Sequence, residues 1–196
     1  MVKKLNKVNL IELNEKYQKV LYWFFSFPRR RFSLTNISKE LKISKTNANI
    51  IINKLNKENL IKIEKIGKSW VIYLNNDYSY LYKTKIGYNL MMIQKMLYDS
   101  EIIEEIHKIE PNYLSLILFG SYRKGDDNEE SDIDIAVESG SGKELKVYEL
   151  GVIPSFGFRK NVPVNLHIFS RNKIDINLFS NIANGIILEG FLEVRP

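Results

Sequence analysis

The spacing of hydrophobic positions changes several times along this chain, and each change marks a different kind of element. Between residues 17 and 27, Val20, Leu21, Phe24 and Phe25 recur at helical spacing until Pro28 ends the pattern, which predicts a first helix. A short second helix is expected from a cap at Thr35 through Leu41, with a tight turn at Lys42 and Ile43 and a new cap at Ser44. The third helix, from Lys45 to about Glu58, buries Ala48, Ile51, Ile52 and Leu55 and turns Lys45, Thr46, Asn47, Asn49, Asn53 and Lys57 outward. Residues 60–66 and 69–74 are rich in β-branched and aromatic side chains, and Gly67-Lys68 between them predicts a β-hairpin.

Helical spacing returns over residues 80–110, where Leu81, Ile86, Leu90, Ile93, Met96 and Leu97 form one apolar stripe and Ile102, Ile103, Ile106 and Ile109 another. This segment is expected to bridge two domains or to make a homodimer contact, and Pro111-Asn112 ends it. Beyond it the period shortens to that of strands. Residues 113–119 form an apolar run of strand length, Ile133, Ile135 and Val137 alternate with polar neighbours, and residues 162–169 alternate again. A short helix is expected over residues 143–150, a closing helix over 172–185 and an apolar return over 186–190.

Three helices followed by a hairpin resemble a winged helix-turn-helix, and the charge distribution gives that resemblance a function. Residues 1–75 hold 16 Lys and Arg against 5 Asp and Glu, a net of +11, whereas residues 76–110 and 111–196 carry −2 and −3. A positive field confined to the first third of a chain is the footprint of nucleic-acid binding. The expected partner is double-stranded DNA. Lys45, Thr46, Asn47 and Asn49 would enter the major groove, while Arg29, Arg30, Arg31 and the wing-tip Lys68 hold phosphates.

The most specific chemistry lies further on. Gly120-Ser121 follows the first strand, ten residues intervene, and Asp132-Ile133-Asp134 opens the next strand. Alternate residues of a strand share a face, so the two carboxylates stand about 7 Å apart along the chain on one side of a sheet, where they can share a hard cation. Gly120 admits a phosphate close to the backbone, and Ser121 can donate its hydroxyl and amide to a phosphate oxygen. Together with Tyr122-Arg123-Lys124-Gly125 and Ser131, these residues resemble the signature of the DNA polymerase β-like nucleotidyltransferase superfamily, most closely its minimal branch.

The resemblance implies catalytic and metal-binding roles for Asp132 and Asp134. It also implies a nucleotide seat at Gly120, Ser121 and Lys124, with Mg²⁺ and a nucleoside triphosphate as cofactor and substrate or ligand. The superfamily pattern further calls for a third carboxylate on a later strand, and the matching position here carries Asn165. An amide supports a metal weakly and takes no proton from an attacking hydroxyl. His167 shares the strand face of Asn165 and is either a substitute base or ligand or a hydrogen-bonded packing residue. Glu149 is a further conceivable acid, and Asp175 reads as a helix cap.

The chain is therefore expected to be α+β, with an N-terminal winged helix-turn-helix at 1–76, a helical connector at 77–110 and a C-terminal mixed β-sheet nucleotidyltransferase domain at 111–196. Three functions stay open. They are a DNA-bound enzyme that moves a nucleoside monophosphate onto a hydroxyl, a transcriptional regulator with a catalytically degenerate nucleotide-sensing domain, and an antitoxin-like transferase with a protein acceptor or toxin partner. The absence of cysteine excludes disulfides and thiolate metal sites. No apolar run approaches the roughly 20 residues of a membrane span, and the basic N-terminus lacks an apolar core after it, so a cytoplasmic location without membrane contact is expected.

Overall fold

The computed structural model describes residues 14–67, 69–99, 101–142 and 144–194. The first helix, α1 (Glu15–Ser26), is capped by Asn14 and buries Tyr17, Val20, Leu21, Phe24 and Phe25. The second, α2 (Leu34–Leu41), starts one residue before Thr35. Its cap is Ser33, because Asn36 at the third helical position returns the hydrogen bond and closes a capping box, while Thr35 lies exposed in the first turn. Lys42 ends α2 in the left-handed conformation, and Ser44 caps α3 (Lys45–Lys57), whose buried face is Ala48, Ile51, Ile52 and Leu55.

The hairpin of β1 (Ile61–Ile66) and β2 (Ser69–Leu74) pairs Ile61 with Leu74 and Ile66 with Ser69. Phe32 forms a single antiparallel bridge to Ile72, so the α1–α2 connection is pinned to the two-stranded wing at one residue. Helix order, the tight α2–α3 turn and this hairpin make the N-terminal part a winged helix-turn-helix.

A 21-residue helix, α4 (Ser79–Asp99), leads into α5 (Ile102–Ile109). Leu81 and Tyr88 of α4 belong to the core of the winged helix, whereas Ile93, Met96 and Leu97 pack with α5's Ile106 against the sheet that follows. One helix thus closes two cores. Among the described residues no helix is long and apolar enough to cross a membrane.

The C-terminal part contains β3 (Tyr113–Phe119), the short α6 (Gly120–Lys124), β4 (Ile133–Ser139), β5 (Lys146–Phe156) and β6 (Arg159–Phe169). A 3-10 turn at Arg171–Lys173, α7 (Ile176–Ala183) and β7 (Ile186–Gly190) complete it. The sheet runs β5-β6-β4-β3-β7; β4 and β6 are parallel and the other neighbours antiparallel. One face, with Leu116, Leu118, Ile133, Ile135 and Leu166, lies under α4 and α5. The other, with Ile117, Phe119, Ala136 and Phe169, is partly covered by Ile182 of α7.

Two expectations fail in this C-terminal part. Residues 146–150 are the start of an edge strand and not a helix: Tyr148 pairs with Leu166 and Lys146 with Ile168, and Gly151 and Pro154 further on suit an edge strand better than a helix. The closing helix is split, because Asp175 accepts from the Asn177 and Leu178 amides and starts α7 afresh.

Candidate functional site

The site is built where β3 ends. Phe119 is extended, Gly120 turns to φ +72°, and α6 begins at once. Phe119 pairs with Asp134 across the sheet, and a Cβ placed on Gly120 would stand 2.5 Å from Asp134 Oδ2. The glycine is therefore required twice, by its backbone angle and by the carboxylate beside it. Ser121 is half-buried in the first turn of α6, Lys124 is exposed at its end, and Gly125 closes it in the left-handed conformation with its amide on the Ser121 carbonyl at 2.8 Å.

Asp132, just before β4, and Asp134, its second residue, are both half-buried. Their neighbours come from the parallel strand β6, where Asn165 stands in register with Asp134. Asn165 Nδ2 donates to Asp132 Oδ2 at 2.5 Å, and His167 Nε2 lies 3.3 Å from Asp134 Oδ1. The His167 ring packs edge-on against Phe119, and its Nδ1 is buried without a hydrogen-bond partner. Glu149, on β5, pairs with Asn165 and is exposed, so it shares this sheet face one strand further out.

This donor set can be tested against Mg²⁺. Among the described residues no three His, Cys, Asp or Glu side chains could hold a metal ion together. Two adjacent carboxylates suit a cation that completes its octahedron with phosphate oxygens and water, which is how Mg²⁺ is commonly bound. The site fits an ion arriving with a nucleotide and does not fit a self-sufficient protein cage.

The segment joining α6 to β4 is held from beneath by a buried ion pair. Lys85 Nζ of α4 lies 3.0 Å from Asp127 Oδ2, with both side chains almost wholly buried. Burial pushes the Lys85 ammonium below its ordinary range and the Asp127 carboxyl above its own, outweighing their attraction in each case. Nothing in the residue pattern signalled this pair, since its members lie 42 positions apart.

On the winged helix, Lys45 and Thr46 are exposed and Asn47 and Asn49 half-buried, all in the first half of α3. Asn53 donates to the Asn49 side chain at 3.0 Å. Ile50 stands 62% exposed on this helix, an apolar side chain that the helical spacing did not single out. The arginines turn to acidic partners. Arg29 Nη1 is 3.4 Å from Glu130 and Arg30 Nε 3.9 Å from Glu129, both in the segment leading to Asp132. Arg31 pairs with Glu64 at 3.1 Å and lies over the Tyr73 ring. Lys68 lies outside the described residues.

Residues 99–183 match the family described as nucleotidyltransferase domain, a span that holds Gly120, Ser121, Asp132, Asp134 and Asn165. The chain thus carries a nucleotidyltransferase domain behind its winged helix-turn-helix. No curated protein matches it. Among solved structures, the zinc-responsive MarR family member ZitR of Lactococcus lactis is similar with a TM-score of 0.30 and 13% identity, over 52% of this chain and 76% of that one. A ZitR mutant in complex with DNA is similar with a TM-score of 0.31 and 15% identity, over 56% and 80%.

Proposed function

We propose that this protein binds double-stranded DNA through its winged helix and seats a nucleoside triphosphate with Mg²⁺ in its C-terminal domain, where a hydroxyl attacks the α-phosphorus, takes the nucleoside monophosphate and displaces pyrophosphate. The observation that carries this reading is the pairing of Phe119 with Asp134, which sets the Gly120 turn directly against the Asp134 carboxylate, two residues after Asp132.

Asp132 and Asp134 would hold the ion, and Ser121 would donate to a phosphate oxygen, with Lys124 adding positive charge. When bound, Mg²⁺ neutralises the phosphates and aligns the attacking and leaving oxygens. Asn165 fixes the orientation of Asp132 through its amide but takes no proton from the attacking hydroxyl. On the DNA side, Lys45, Thr46, Asn47 and Asn49 would face base edges, and Arg29, Arg30, Arg31 and Lys68 the backbone.

Asn165 also favours a second reading, in which the domain binds nucleotide as a sensor for a transcriptional regulator without turning it over. Calorimetry with Mg²⁺ and each of the four ribonucleoside triphosphates, run beside a radiolabel transfer assay, separates the two. Binding with transfer supports the enzyme, and binding without transfer the sensor. The Asp132→Asn, Asp134→Asn double variant should lose the extra thermal stabilisation that metal and nucleotide give together, and keep its mobility shift on labelled DNA fragments. Equal thermal shifts for the wild type and the double variant would sink both readings of the site.

A further inference from the structure

We propose that Lys85 and Asn89 of α4, acting through Asp127 and together with Arg159, are positioning residues that set the separation between Ser121 and Asp132. The proposal rests on the reading of those two residues as parts of one nucleotide site. Ten residues separate them, and six of these, residues 126–131, carry four carboxylates beside two more at Asp132 and Asp134. Like charges so placed repel, and although Arg30 and Arg29 lie near Glu129 and Glu130 at the surface, the position of the segment has to be fixed from beneath.

Two side chains each tie Tyr122 to a later part of it, Asn89 to its middle and Arg159 to its far end. Asn89 Nδ2 donates to the Tyr122 carbonyl at 3.0 Å and to Asp127 Oδ1 at 2.6 Å, joining the residue after Ser121 to the middle of the segment. Arg159 does the same from β6: one nitrogen donates to the Tyr122 hydroxyl, and Nη2 donates to the Glu129 carbonyl at 3.1 Å and the Ser131 carbonyl at 2.7 Å. Ser131 directly precedes Asp132. Lys85 ties down Asp127 through its carboxylate and its carbonyl. Gly125 adds steric contact, since a Cβ there would come 2.5 Å from the Tyr82 carbonyl of α4.

Lys85 and Asn89 precede the family match, which begins at residue 99. The site's framework therefore extends beyond the domain that carries its signature. A buried ion pair is poor value as pure stabilisation, because well-packed apolar side chains often do as well or better. A fully satisfied polar network, however, fixes a single geometry. A structural role and a positioning role thus predict different outcomes for an apolar replacement.

The test compares the whole wild-type chain with Lys85→Met, Asp127→Leu and, separately, Arg159→Lys, which keeps the charge but loses the fork that reaches both ends. Three quantities are read: unfolding temperature, amide hydrogen exchange in residues 120–134 of the ligand-free protein, and affinity for Mg²⁺ with ATP, GTP, CTP or UTP. We expect the double variant to unfold near the wild-type temperature while exchange in 120–134 rises and nucleotide affinity falls by about tenfold or more, the usual cost of removing an outer-shell support. Arg159→Lys should show the same two changes in smaller measure, and it decides the matter if the double variant fails to fold. Unchanged exchange and affinity in a folded variant would overturn the proposal. A wild-type protein that binds no triphosphate overturns the reading of the site instead, and the exchange measurement then judges the positioning role alone.

Discussion

Gly120→Ala is the smallest substitution that reaches the carboxylates, because the new methyl would meet Asp134 Oδ2 and the backbone would keep φ +72°. A non-glycine residue in such a conformation costs on the order of 1–3 kcal/mol. A lower unfolding temperature, together with loss of the Mg²⁺-dependent nucleotide shift, is the expected outcome, and an unchanged shift would count against the site. Asn165→Asp should strengthen Mg²⁺ binding by calorimetry, since a third carboxylate replaces a neutral amide next to Asp132. The Gly-Ser turn and the Asp pair were legible in the sequence because spacing within one β-turn-β unit is local. The amide of Asn165 on Asp132 was not, because parallel register between β4 and β6 is set across 33 residues.

Among the elements, the helices of the winged part follow the apolar spacing closely, and their caps show what spacing leaves undecided. Both Ser33 and Thr35 are acceptable caps by type, and the reciprocal pair, in which Ser33 Oγ accepts from the Asn36 amide and Asn36 Oδ1 from the Ser33 amide, selects Ser33. Ser33→Ala should therefore destabilise the chain by about 1 kcal/mol, whereas Thr35→Ala should leave the unfolding temperature nearly unchanged. Equal effects of the two in thermal denaturation would refute the assignment. Only the start of β5, residues 146–150, falls within the helix expected over 143–150, because these residues lack a clean alternation of their own. Its pairing with β6 decides its state, a tertiary effect that overrides weak local preference. The same pairing brings Glu149 opposite Asn165.

At the scale of the molecule, α4 makes the two halves one object. Tyr88 stacks on Tyr22 of α1 with ring centroids 4.2 Å apart, one residue before Asn89, and Phe158 at the β5–β6 turn packs on Trp23. Burial pushes the Tyr88 hydroxyl up to about 12, so it stays protonated beside Ser26 at neutral pH. The strongest prediction at this scale concerns dissection. A fragment starting at residue 111 would strip α4 and α5 from the sheet and expose the face formed by Leu116, Leu118, Ile135 and Leu166. It should bind a hydrophobic dye and lack a cooperative melt, whereas a fragment starting at residue 77 should melt cooperatively. A cooperative melt of the shorter fragment would contradict this account. These long-range contacts were illegible in the sequence, where no pattern couples Trp23 to Phe158 or Lys85 to Asp127.

The acidic partners of Arg29 and Arg30 alter how DNA affinity should respond to salt. Phosphate contacts gain from counterions that the nucleic acid sheds, but an arginine already matched by a carboxylate leaves that carboxylate to recruit a cation when DNA takes its place. Such an arginine releases little net salt. Glu129→Gln with Glu130→Gln should therefore steepen the plot of log affinity against log salt by up to about 0.9 per arginine set free, and tighten binding most at low ionic strength. Parallel plots for the wild type and the double variant would mean that these two arginines never reach the phosphates.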